Sequence, residues 1–161
     1  MVKKKGFSLL EMIVAIFLIA VVIGTVLLLM AANLNVISKA NEIMISNALA
    51  QYSIEEVKNI EFPPVYSDRQ DYFGDEIGYE TEIDLTNPDP DANFTPPEFA
   101  DKFEVRRYVI GYNSSGNIIA DFDNTKYDNA MLLKVIVYVL RKKDNKVISK
   151  REIFISRNGL F

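Results

Sequence analysis

Glu11 is an isolated acid at the edge of an apolar stretch. Residues 12–32 (MIVAIFLIAVVIGTVLLLMAA) carry no charge, and the other 21 of the 22 acidic side chains follow Met30. A carboxylate at the end of such a stretch costs a few kcal/mol to hold in hydrocarbon unless a cation meets it, so its natural chemistry is ion pairing. A second group of oxygens, Asp121, Asp123, Thr125 and Asp128, is the densest in any loop and forms a calcium candidate. Its spacing departs from an EF-hand, with Lys126 where glycine is needed and Leu132 where a bidentate Glu belongs; a solvated turn is the reading adopted. Asp84, Asp89 and Asp91 are separated by two prolines. The chain has neither Cys nor His, which removes thiolate sites, disulfides, His-ligated zinc and His-based triads. No carboxylate pair sits in a context for acid–base catalysis, so no enzymatic activity and no cofactor are expected.

The element that must position Glu11 is a helix. Residues 7–32 as a helix extend roughly 39 Å, enough to cross a hydrocarbon core of ~30 Å. A cleaved secretory signal would have a shorter apolar core and a small-x-small site. A single-pass anchor fits the length, with Lys3, Lys4 and Lys5 holding the amino end in the cytoplasm, but it leaves Glu11 unexplained.

Lys3-Lys4-Lys5-Gly6-Phe7-Ser8-Leu9-Leu10-Glu11 followed by an uncharged helix resembles the class III signal of type IV pilins and type II secretion pseudopilins. The resemblance implies cleavage by prepilin peptidase between Gly6 and Phe7, N-methylation of Phe7, and an assembly role for Glu11. Cleavage frees an amine on Phe7 that stays cationic near neutral pH. In a packed helical bundle it and Glu11 each lose several kcal/mol of hydration unless they pair, within one chain or between subunits. Pairing between subunits would favour one axial stagger. Major pilins commonly carry proline at the position of Leu28; its absence tilts the reading toward a minor pilin or pseudopilin. Gly24-Thr25 is then the weak point of the helix, Gly costing ~1 kcal/mol of propensity.

Apolar residues continue at helical spacing through Ile37, Ala40, Met44, Ala48 and Tyr52, and through Ile45, Ala48, Leu49 and Tyr52, with Val57 and Ile60 extending the pattern until Phe62-Pro63-Pro64 ends it. One rod is expected from about Ser8 to about Glu61, on the order of 80 Å long. Strands are expected at 79–85, 103–112, 117–122, 130–140 and 146–156, with 130–140 central, a turn at 113–116 and a hairpin at 142–146. The fold class is α+β and pilin-like: one long N-terminal helix, half membrane and half amphipathic, packed on an antiparallel sheet of about four or five strands. The domains are a leader at 1–6, an assembly half at 7–32, and a periplasmic or extracellular head at 33–161 that includes amphipathic helix 33–61.

Without the leader the side chains number 15 basic against 22 acidic. That balance argues against direct nucleic-acid capture, which wants clustered cations. Arg106-Arg107, Lys142-Lys143 and Lys150-Arg151 form a basic patch only if neighbouring strands align them; ordinary charged strand edges are the reading adopted. Asn93-Phe94-Thr95 and Asn113-Ser114-Ser115 fit the sugar-acceptor triplet. The resemblance implies as partners prepilin peptidase, other pilin or pseudopilin subunits, an inner-membrane platform protein and an assembly ATPase. It implies an inner-membrane precursor, amino terminus inside, that passes into a pilus or pseudopilus, and it looks most like a PilV-type minor pilin or an I-type minor pseudopilin. The alternatives are a component of type II secretion or competence DNA uptake, and a bitopic membrane-anchored binding domain that never polymerises.

Overall fold

One α-helix, α1 (Leu9–Lys58), opens the fold, and a five-stranded sheet follows it. The computed structural model describes residues 8–60, 62, 73–78, 83, 85, 92–120, 122, 124–157 and 159–160. The strands are β1 (Asp75–Glu76), β2 (Phe103–Tyr112), β3 (Leu132–Arg141), β4 (Lys146–Ser156) and β5 (Gly159–Leu160). They lie in the order β1-β2-β3-β4-β5, so every strand neighbours its sequence successor. The chain divides into two compact units, Met1–Glu42 and Ile43–Phe161.

In the second unit α1 turns a narrow face inward. Ser46, Leu49, Ala50, Ser53, Ile54 and Val57 are its buried residues, advancing by alternating steps of three and one. Ala50 and Val57 are fully buried, and the small side chains at 46, 50 and 53 permit close approach to the sheet. Ser46 returns its hydroxyl to the Ile43 carbonyl at 2.9 Å, which satisfies it locally. Members of the two expected apolar stripes therefore fare differently. Leu49 and Val57 are core, while Met44 and Tyr52 stay exposed.

The packing forms two clusters. Leu49, Ala50 and Ile54 meet Phe103, Val105, Val137 and Val139. Further along, Val57 joins Phe73, Val109, Phe122, Tyr127, Leu133, Val135 and Ile155. β3 is the central strand, hydrogen-bonded to β2 and β4 on its two sides. Both its faces are covered: Val135, Val137 and Val139 toward α1, Ile136 and Leu140 away from it. That is why 130–140 reads as apolar without alternation.

The expected α+β layout is present, with three differences in detail. β1 pairs with β2 in parallel, so the sheet is mixed. The strand expected at 117–122 is reduced to one bridge, Tyr112 to Ile118. The chain leaves the ladder there because Phe122 packs over Gly111, where a Cβ would lie 2.3 Å from the Phe122 ring. The strand expected at 79–85 falls largely outside the described residues, and Ile83 and Leu85 are not in strands. The hairpin at 142–146 is present, with Asn145 at φ 50° in the left-handed region. A register shift at Val139/Leu140 puts an irregularity beside that turn.

Candidate functional site

α1 begins at a reciprocal cap. The Ser8 backbone N–H donates to Glu11 Oε2 at 2.9 Å, and the Glu11 N–H donates to Ser8 Oγ at 3.3 Å. This S-x-x-E capping box satisfies two backbone donors that the first helical turn leaves without partners. It also turns the Glu11 carboxylate back toward the start of the chain. A carboxylate there complements the positive end of the helix dipole. Read from sequence, Glu11 is explained by pairing with the Phe7 amine and by assembly, without Ser8, although the Ser8-x-x-Glu11 spacing carries the signal. Lys3, Lys4, Lys5, Gly6 and Phe7 lie outside the described residues.

Beyond the cap, residues 8–41 are all exposed. Leu9 is 79 % exposed and Leu28 73 %, values no apolar side chain keeps in water by preference. Among the described residues α1 is the one helix long and apolar enough to cross a membrane. It runs unbroken through Gly24, Thr25 and Leu28. Thr25 Oγ1 bonds to the Val21 and Val22 carbonyls at 3.1 and 2.8 Å, so the hydroxyl brings no unmet polarity to the apolar surface.

In the second unit, α1 and the segment before β2 enclose a groove of about 650 Å³ lined chiefly by Ile45, Tyr52, Phe94, Pro96 and Phe99. Glu56 and Glu98 are the acids in its lining. The Arg107 guanidinium lies 3.6 Å over the Phe94 ring centroid and donates to Glu56 at 3.1 Å. Burial pulls Arg107 below its ordinary value, while Glu56 acts in the opposite sense. Arg107 thus clamps β2 to α1. Arg106 points to the other face of the sheet, where it bonds Glu104 and the Leu85 carbonyl at 2.7 and 2.6 Å. Both arginines are buried, so neither contributes to a basic patch.

The calcium candidate is only partly described. Asp121 and Asp123 lie outside the described residues. Asp128 is exposed, with its carboxylate 3.9 Å from Arg157. Arg157 fastens this turn by donating to the carbonyls of Ala130 at 2.9 Å and Tyr127 at 3.1 Å, and to that of Asp128. Among the described residues no group of three His, Cys, Asp or Glu could hold a metal ion.

Residues 1–32 match the prokaryotic N-terminal methylation motif. No curated protein and no solved structure matches the chain. Proteins with this motif are structural rather than enzymatic. The matched motif spans the cap, Glu11 and the uncharged run, and a helix-on-sheet head follows it in the chain, an arrangement that supports a likeness to type IV pilins and pseudopilins.

Proposed function

We propose that this chain is a minor type IV pilin or pseudopilin, a subunit cut by prepilin peptidase between Gly6 and Phe7 and N-methylated on Phe7. Residues 7–32 hold the precursor in the inner membrane and then pack it into a filament. Extraction from lipid is affordable because the exposed apolar surface trades hydrocarbon for neighbouring helices. A platform protein and an assembly ATPase supply the work. The absence of proline at Leu28, together with a helix that continues through it, favours a minor subunit over a major one.

The observation that carries the reading is the coincidence of the matched motif with a carboxylate folded back toward the chain start. After cleavage the new ammonium belongs to Phe7, the residue preceding Ser8. Glu11 is then oriented to meet that charge in its own chain or in a neighbour's. The pairing supplies register more than net affinity, since each buried ion has lost its hydration.

Two substitutions separate the cap from the charge. Glu11→Ala removes both; it should leave membrane insertion intact and prevent incorporation into filaments. Glu11→Gln keeps a capping acceptor but no charge. Co-purification with other pilin-like subunits should fail for Glu11→Gln as it does for Glu11→Ala. Normal incorporation of Glu11→Gln would assign the carboxylate to capping alone and remove the ion pair from the mechanism.

A further inference from the structure

We propose that the β3–β4 hairpin is a docking surface for anionic lipid headgroups, holding the head down on the membrane before assembly. The proposal rests on the membrane-anchored reading above.

Residues 141–151 hold six basic side chains and one acidic one, whereas the rest of 33–161 holds nine basic and 20 acidic. The single acid of that window, Asp144, is already paired with Arg141 at 3.1 Å, and Glu152, the next residue along β4, is paired with Lys150 at 2.6 Å. Lys142, Lys143 and Lys146 are exposed, and among the described residues the side chains of Lys143 and Lys146 make no ion pair or hydrogen bond. Lys142 reaches the Ala100 carbonyl at 3.0 Å, and its backbone N–H bonds the Lys102 carbonyl at 2.9 Å. That places exposed Lys102 beside the same tip, with Asp101 the opposing acid on the adjoining turn.

The location gives the charge its partner. β4 runs alongside α1 in the same sense. Ser149 donates to Asn47 at 2.8 Å, while Ile155 shares a cluster with Val57. The turn at 142–146 precedes Ser149, so it lies at the end of the head where α1 enters. The uncharged run ends at Ala32, 15 residues before Asn47 in the sequence. Strand-edge protection accounts for Lys150 and Arg151, which sit within β4. It does not account for cations gathered at the turn itself. Each lysine brought against an anionic leaflet favours the contact about fivefold, within a Debye length of about 8 Å in physiological salt. Val147, 37 % exposed, adds an apolar contact at the same tip.

The test uses the full chain reconstituted in phosphatidylcholine vesicles with and without phosphatidylglycerol, with insertion verified by resistance to alkaline extraction. A membrane-impermeant acylating reagent is followed by mass spectrometry. Lys142, Lys143 and Lys146 should react several-fold more slowly in the anionic vesicles, relative to Lys58 and Lys150, and raised salt should abolish the difference. Lys102 should share the protection and lose it in a Lys142→Gln, Lys143→Gln, Lys146→Gln variant whose head melts as the parent does. Equal rates in the two vesicle types, with the chain inserted, would overturn the proposal. So would protection that follows protein density and not phosphatidylglycerol, which would give the hairpin to a second copy. Failure to insert would instead count against the membrane-anchored reading.

Discussion

Along α1, the stretch before Glu42 leaves Leu9, Leu28 and Leu34 uncovered, whereas the stretch after it buries Ser46 and Ser53. Hydrophobicity alone would assign these residues the other way round. The first stretch is apolar on every face because its cover comes from outside the chain, as lipid or neighbouring helices. The second needs only one inward face, and there close approach matters more than bulk. Small residues let Leu49, Ile54 and Val57 reach the sheet. The two stretches have the same secondary structure but are covered by different surroundings.

A matched pair of truncations probes this contrast most strongly. Ile54→Ala should lower head stability by about 2–5 kcal/mol, while Ile23→Ala should leave the head's thermal transition unchanged. Equal losses would mean that the first stretch is packed by the head after all. A charge tests the converse. Leu18→Asp should cost about 3 kcal/mol of insertion free energy and shift the chain out of the membrane fraction, whereas Met44→Asp, on the exposed side of the second stretch, should not. Ser8→Ala should weaken the helix start by about 0.5–2 kcal/mol, read as faster amide exchange in the first turn, with no effect on head melting.

Acid sensitivity sharpens the comparison on the head side. The Lys150 ammonium, bonded at 2.6 Å, holds the Glu152 carboxyl below its ordinary value; burial opposes this and Lys134 reinforces it. A carboxyl depressed in the folded state contributes stability above its unfolded value and loses it as the pH falls through the folded one. Glu152→Gln should therefore flatten the decline in head stability below about pH 4.5. Water screening at a side chain 35 % exposed keeps the effect to a few tenths of a kcal/mol.

Much of the fold was legible because its signals are local. β2 and β4 begin and end at the residues their patterns predicted, and β3 is central as its two apolar faces required. The helix stops three residues short of the expected Glu61. What escaped is long-range. β1 is two residues with no periodicity of its own, and it exists only through its parallel pairing with Tyr108 and Val109. The expected strand at 117–122 gave way to a tertiary demand, the seating of Phe122 on Gly111. Adjacent Arg106 and Arg107 read as a surface doublet, yet strand alternation sends them to opposite faces, Arg106 to the Leu85 carbonyl and Arg107 to the Glu56 carboxylate. At the candidate site the basic leader, Gly6, Phe7 and Glu11 were legible as a motif. The Ser8 cap was overlooked because Glu11 already had an explanation.

The most direct test of the account is the mass of the mature amino terminus in membrane or filament preparations from the native host. The account predicts a chain beginning at Phe7 and carrying one methyl group on its amine. A working organelle whose subunit still began at Met1 or Val2 would contradict it.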